Sequence, residues 1–396
     1  MIRGRCDDSA TPRSPTVPTI PGGRRRPWRL VSPWRLVSGG PARPTDGERV
    51  SARTGSRRVP WGRLLFVVLS VALLIVVAGQ FTSAEALGSD LAKADWRWMT
   101  VALGLQVAFF LLYGALYRAG FRAVGVESGA LHLVPILLAS IFAKTAVPFT
   151  AAPAAAVFID DASSHGQSGP RAAVGVVVVL AVDLITALPF VIAGTIALLL
   201  RDRLVEFGLA GTGLFILFTG AVLVCLLLAA RTPRLLEAVL AACRVVINRV
   251  AHLLGRMPPL GTDWARRNTE QLALGASSIP RHPLAIAEAH VHGLLLHAAN
   301  LAGLGAIFLA FGQPLDLASL AAGFGMSIVF FILAIVPDGI GAVEGAMALV
   351  FVQLGMAASP AILVTLAYRI LNVWIPVALG FWYARRLRLF GAVTVG

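Results

Sequence analysis

The chain has 396 residues, 57% of them hydrophobic and 14% charged, with a mean hydropathy of +0.79. A water-soluble globule carries about 25% charged residues, so this composition excludes one and describes a multi-span membrane protein. The net charge of +14 and pI near 11.2 would suggest a nucleic-acid partner, but residues 1–63 hold fourteen arginines against Asp7, Asp8, Asp46 and Glu48, a net +10. The remainder is nearly neutral, and no nucleic-acid partner is expected.

Residues 1–63 are rich in Arg, Pro and Gly, lack an apolar period and repeat Pro-Trp-Arg-Leu-Val-Ser at Pro27 and again at Pro33. Such a segment cannot bury enough surface to fold and reads as a disordered cytoplasmic tail, either solvated or resting on anionic headgroups. No cleavable signal peptide is expected, because the first apolar run starts far into the chain and lacks a small-residue cleavage site. Cys6, Cys225 and Cys243 are isolated and show no metal-ligand spacing.

A helix needs about 20 apolar residues to cross a ~30 Å hydrocarbon core. Full-length candidates are Leu64–Phe81, Arg97–Tyr117, Ala172–Leu200, Gly208–Ala230, Pro283–Phe311, Ala318–Val336 and Pro360–Tyr383, with a shorter one at Gly341–Ala357. Leu131–Ile159 is apolar but interrupted by Lys144, Pro148 and Pro153, which predicts two half-helices that dip in and return. The expected fold is therefore all-α: a polytopic membrane domain over 64–389 with about eight transmembrane helices and a re-entrant pair, followed by a short tail, 390–396.

Arginine placement orients it. The amino-terminal tail, Arg118 and Arg122, the loop 231–281 and Arg385, Arg386 and Arg388 are predicted cytoplasmic, with both termini on that side of the cell membrane. Within the loop, Leu236, Val239, Leu240, Cys243, Val246, Ile247, Val250, Leu253 and Leu254 recur at three and four, opposite Arg244, Asn248, Arg249, His252 and Arg256. That pattern is an interfacial amphipathic helix.

A charge at the bilayer centre costs at least ~2.5–3.5 kcal/mol on insertion scales, so intramembrane ionisable groups point to cavities or partners. They are Lys144, Asp183, Glu288, His290, His292, His297, Asp338, Glu344 and Arg369. The densest stretch is Pro337-Asp338-Gly339-Ile340-Gly341, where proline ends one helix, two glycines permit a reversal and Glu344 falls in the first turn of the next. Counting from a turn at 357–360, Glu344 lies about 20 Å and Arg369 about 14 Å along their helices, within reach of an arginine side chain. Pro337, Asp338, Gly339, Gly341, Glu344, Arg369, Lys144 and Asp183 are the candidate headgroup-binding residues. Glu288, His290, His292 and His297 form a weaker set: at 100° per residue no face of that helix presents three ligands, so no metal site is expected there. No GxGxxG or P-loop segment offers a nucleotide site, and no cofactor is expected.

The stretch from Pro337 to Gly345, then Tyr368-Arg369, Trp374-Ile375-Pro376 and Gly380, resembles the carboxy-terminal signature of the lysylphosphatidylglycerol synthase transmembrane region, a flippase-like membrane family. The family pattern is Pro-Gly-Gly-x-Gly-x-x-Glu, so Asp338 replaces a glycine, and the upstream place at Thr145–Pro153 keeps the proline without glycine or arginine. Val147-Pro148 and Val336-Pro337 would then be two copies of one inverted repeat. The resemblance implies a domain that translocates an anionic or glycosylated lipid, with membrane lipids and a lipid-modifying enzyme as partners. It does not imply synthesis, which needs a soluble acyltransferase-like domain where this sequence has thirteen residues after Tyr383. The alternatives are a membrane enzyme or accessory factor of lipid-linked glycosyl transfer, with Asp338 or Glu344 as general base, and a structural partner of a lipid-modifying enzyme.

Overall fold

A computed structural model describes residues 94–146, 152–203, 205–253, 260–277, 281–333 and 337–386. The tail 1–63, the predicted span Leu64–Phe81, Pro148, Val336 and the end 390–396 lie outside them. The described residues are helical, with no strand: α1 (Trp96–Ala123), α2 (Ala130–Ala146), α3 (Ala152–Ser164), α4 (Gly169–Leu200), α5 (Val205–Arg231), α6 (Pro233–Leu253), α7 (Trp264–Ala276), α8 (Pro283–Ala310), α9 (Leu317–Leu333), α10 (Ala342–Gln353), α11 (Ala358–Arg369) and α12 (Ile375–Arg386). The chain is a polytopic all-α membrane protein. Among the described residues, α1, α4, α5, α8 and the run α11–α12 are long and apolar enough to cross a membrane, while α2, α9 and α10 are shorter apolar helices.

The boundaries follow local chemistry. Asp95 caps α1 by accepting from the Arg97 amide, and Ser168 caps α4 ahead of Pro170. Asp316 caps α9, accepting from the Ser319 hydroxyl at 2.6 Å and the Ser319 amide at 3.2 Å. Its carboxylate also pairs with Arg201 at 2.9 Å, tying the α4–α5 turn to the α8–α9 turn.

Contacts sort the helix ends into two groups. The Asp95 amide donates to the Ala310 carbonyl, so α1 begins where α8 ends, and Arg122 near the end of α1 pairs with Glu288 near the start of α8. The ends of α1 and α8 are thus antiparallel neighbours. One end of the bundle gathers Asp95, Arg201 and Asp316; the other gathers Arg118, Arg122 and the starts of α2, α4 and α8.

Two helical hairpins enter this bundle from opposite ends. In the first, His132 at the start of α2 meets Asp161 near the end of α3 at 3.0 Å, so the pair opens at the Arg122 end. The chain goes in and returns, as the broken sequence predicts. In the second, Phe351 late in α10 packs against Gly323 early in α9, and Gly339 at the tip packs against Phe331 and Val343. This pair opens at the Asp316 end. The stretches expected as spans at Ala318–Val336 and Gly341–Ala357 thus form helices of 17 and 12 residues. At 1.5 Å per residue they are about 26 and 18 Å long, because Pro337 and the glycines after it turn the chain inside the bundle. Chain parity is unaffected, since a hairpin and a pair of crossings both return to the starting end.

The helices approach each other through small residues. A Cβ on Gly194 of α4 would stand 2.6 Å from the Ala321 carbonyl oxygen, and one on Gly325 of α9 2.9 Å from that of Phe190. Lipid is as apolar as a side chain, so close backbone packing, not solvent exclusion, holds such helices together. Outward surfaces are correspondingly hydrophobic: Leu209, Leu214, Leu217 (68% exposed) and Leu227 cover α5. The amphipathic segment predicted in the loop 231–281 is the helix α6, with Leu235, Val239, Val246 and Ile247 exposed and Leu236 buried. The Asn248 amide side chain clamps Leu260, donating to its carbonyl at 2.9 Å and accepting from its N–H at 3.1 Å.

The Ser319 hydroxyl, with the backbone amides of Ser319 and Ala318 and with Arg201, holds the Asp316 carboxyl below its ordinary value. A lowered carboxylate adds stability above its unfolded value of about 3.9 and loses it as the pH falls through the folded value. Asp316→Asn is therefore expected to lower the melting temperature in detergent at neutral pH, with the gap to the parent protein closing as the pH drops below about 4.

Candidate functional site

The two hairpin tips meet. Lys144, in the last turn of α2, lies about 21 Å along the helix from Ala130, close to half the ~48 Å length of α4. Its ammonium reaches Asp338 Oδ1 at 2.5 Å, and the Thr145 hydroxyl donates to Asp338 Oδ2. Asp338 belongs to the short 3₁₀ turn Pro337–Gly339 that ends the descent of α9.

That turn is conformationally demanding. Asp338 has φ 53°, Gly339 φ 62° and Gly341 φ 88°, three left-handed positions within four residues. Glycine adopts them freely, whereas aspartate does so only at a cost that local bonds must offset. Here Lys144 and Thr145 hold the carboxylate while Arg369 Nη2 donates to the Asp338 carbonyl at 2.8 Å. The glycine of the family pattern at this position would need no such support.

Glu344 is in the first turn of α10. Its Oε2 accepts from the Gly341 N–H at 2.6 Å, one half of a capping box, glycine having no side chain to supply the other. Its Oε1 accepts from Arg369 Nε at 2.7 Å. The two residues meet as helix arithmetic predicts. Arg369 is 2% exposed, and Asp338 6%. The helix carrying Arg369 changes form immediately beyond it: Ile370–Trp374 is a π-helical turn in which the Ile375 N–H donates to the Ile370 carbonyl. Pro376 supplies the reason, since it lacks the N–H that an α-helix would give to Asn372. Farther on, Gly380 lets α12 close on α2, where a Cβ would stand 2.1 Å from the Leu138 carbonyl oxygen.

Lys144, Asp338, Glu344 and Arg369 thus form a neutral group of two cations and two carboxylates. Their exposure differs. The Arg369 side chain is 3% exposed and the Glu344 side chain 12%, whereas that of Lys144 is 29% exposed, with its ammonium 4.7 Å from the centre of the Phe331 ring.

The remaining candidates lie elsewhere. Asp183 of α4 forms a second buried group, with His297 Nε2 of α8 3.1 Å from its Oδ1 and the Tyr113 hydroxyl of α1 donating to its Oδ2 at 3.4 Å. Glu288 pairs with Arg122, and with Arg118 at 3.9 Å, at the bundle end. His290 and His292 contact carbonyls one turn back, Ile286 and Glu288, each through Nδ1 at 2.8 Å. Sequence reasoning missed Thr145 and Tyr113, ordinary residues until the fold brings a carboxylate to each.

The family model of the lysylphosphatidylglycerol synthase transmembrane region matches residues 63–380. The chain belongs to this family. It is also similar to a UPF0104 membrane protein of Methanothermobacter thermautotrophicus, 22% identical over 334 residues that cover 81% of this chain and 93% of the relative. No solved structure matches the chain significantly. In this family member, the signature residues Glu344, Arg369, Pro376 and Gly380 form the tip of the second hairpin or brace the helices around it.

Removing one partner of a buried ion pair costs about 3–5 kcal/mol, because the other charge stays behind. Glu344→Gln keeps the cap on Gly341 but strands Arg369, and Arg369→Met strands Glu344. Both are expected to lower the melting temperature in detergent sharply, and Arg369→Met combined with Glu344→Gln to lower it by much less than the two single changes together.

Proposed function

We propose that this protein moves an anionic or glycosylated lipid between the leaflets of the cytoplasmic membrane, and that the headgroup engages Lys144 where the hairpin tips meet. One observation carries the reading: two re-entrant hairpins of opposite entry touch tip to tip through Lys144 and Asp338. Inverted elements meeting near mid-depth are the layout in which transporters place their sites, with rocking of one element against the other giving alternating access. Separating Lys144 from Asp338 separates the tips, and an anionic headgroup is a substitute partner for the ammonium.

The difference in exposure divides the labour. Arg369 is enclosed, with its Nε and Nη2 bonded inside the second hairpin, so it serves as a strut. Lys144 keeps an open side and is the cation that faces a ligand. The apolar surfaces of the helices accept the acyl chains, so that only the headgroup needs a polar path. Membership of the lysylphosphatidylglycerol synthase transmembrane family supports lipid handling.

A general base for glycosyl transfer would need a carboxylate lone pair that a substrate hydroxyl can reach. Both oxygens of Glu344 are occupied, by Arg369 and the Gly341 amide, and both of Asp338, by Lys144 and Thr145. This favours transport over catalysis. The concentration of Arg118, Arg122, Arg171, Arg231 and Arg234 toward one end supports placing that end in the cytoplasm. A lipid-modifying enzyme is the partner that would supply or consume the moved lipid.

Purified protein in vesicles should speed the loss of protected fluorescence when labelled phosphatidylglycerol or polyprenyl phosphate is quenched from outside. A charge-assisted contact contributes about 1.5–3 kcal/mol, so Lys144→Ala should slow transfer by about tenfold or more, with Lys144→Arg recovering most of it. Transfer no faster than in protein-free vesicles for every anionic lipid would sink the reading.

A further inference from the structure

The mouth of the first hairpin holds a cluster of a different kind. His132 is in the first turn of α2, Asp161 in the last turn of α3, and His165 just beyond it. His132 Nε2 stands 3.0 Å from Asp161 Oδ1 and 3.2 Å from Oδ2; His165 Nδ1 is 3.5 Å from Oδ1 and 2.8 Å from the Asp161 backbone carbonyl, a contact within its own helix turn that a metal ion would displace. The two rings lie 5.0 Å apart, nearly perpendicular. One ligand atom from each of the three residues falls within 4.8 Å of the others.

In a tetrahedral zinc site with bonds of about 2.0–2.1 Å, neighbouring ligand atoms are separated by about 3.3 Å. Two of the three edges in this cluster, 3.0 and 3.5 Å, already bracket that spacing. The third, between the two imidazoles, is no more than 4.8 Å, and closing it requires the rings to turn toward each other. The carboxylate has reason to accept an ion: its side chain is only 10% exposed, and its charge partners among the described residues are the two imidazoles, with no lysine or arginine beside it. A neutral imidazole is the commonest protein ligand for transition metals. The histidine side chains are 44% and 60% exposed, so an ion can arrive from water and keep a solvent ligand.

We infer that His132, Asp161 and His165 bind one divalent transition-metal ion of the zinc class, with the fourth coordination position open to water. The ion closes the mouth of the hairpin by joining the start of α2 to the end of α3. It lies about 18 Å along α2 from Lys144, too far for any part in chemistry at the tip. Its role is to brace the helix that presents Lys144. No sequence spacing announced it, because His132 is 29 residues from Asp161 and the set exists only once the hairpin folds. The sequence led to no metal site being expected anywhere in the chain, neither among the histidines of α8 nor here. This inference is independent of lipid transport.

Full-length protein in detergent, stripped with a chelator, should take up one equivalent of Zn²⁺ in a calorimetric titration and melt at a higher temperature when loaded. Co²⁺ in its place should give the visible ligand-field bands of a low-symmetry site. His132→Ala, His165→Ala and Asp161→Asn should each weaken uptake by about tenfold or more, whereas His252→Ala should leave it unchanged. A parent protein that shows neither Zn²⁺ uptake nor a Co²⁺ spectrum overturns the assignment without recourse to any variant. So does a His132→Ala/His165→Ala protein that binds Zn²⁺ as tightly as the parent.

Discussion

Two carboxylates and two cations are held where the hairpin tips meet, and the pairing of those charges is the constraint that the rest of the structure serves. An isolated ion at such depth would cost several kcal/mol, so each must find a partner before the tips can pack. Glu344 neutralises Arg369 within the second hairpin, and Lys144 neutralises Asp338 between the two. The first pair makes one hairpin rigid. The second makes the two hairpins a unit, and its Lys144 is the most exposed of the four charges.

The surrounding helices supply what those pairs require. Small residues on α4 and α9 bring backbones together so that the second hairpin enters deeply, and Gly380 seats α12 against α2 beside Lys144. The π-helical turn forced by Pro376 absorbs an extra residue just after Arg369, so the guanidinium can serve both Glu344 and the Asp338 carbonyl. A left-handed aspartate at the tip is tolerated because three neighbours bond to it. Backbone strain, buried charge and inter-hairpin contact therefore coincide at one residue, Asp338.

The second buried group behaves differently. Asp183, His297 and Tyr113 join α4, α8 and α1, all long helices, and the crossing beside them is tight: a Cβ on Gly293 would stand 2.6 Å from the Thr186 hydroxyl. Nothing there links elements of opposite entry. It fixes the relation of spans that form the frame, while the tip contact joins the parts within it.

Much of this was legible in one dimension. Hydropathy, Pro337 and the glycines after it, and the three- and four-residue period of the 231–253 segment are local properties, and they determined the all-α membrane class, the turn inside the membrane and the amphipathic helix α6. Glu344 and Arg369 also met as expected, because they sit on consecutive helices and the rise per residue fixes their depth. Hydropathy made α9 and α10 two separate crossings, whereas they form a hairpin of 17- and 12-residue helices, because a proline and two glycines break a helix without saying which way the chain leaves. Only the tertiary structure placed Lys144 on Asp338, 194 residues away, or gathered His132, Asp161 and His165 into one cluster. Such contacts depend on which hairpin tips and mouths coincide in space, and nothing in the spacing of residues along a chain encodes that until the helices have packed.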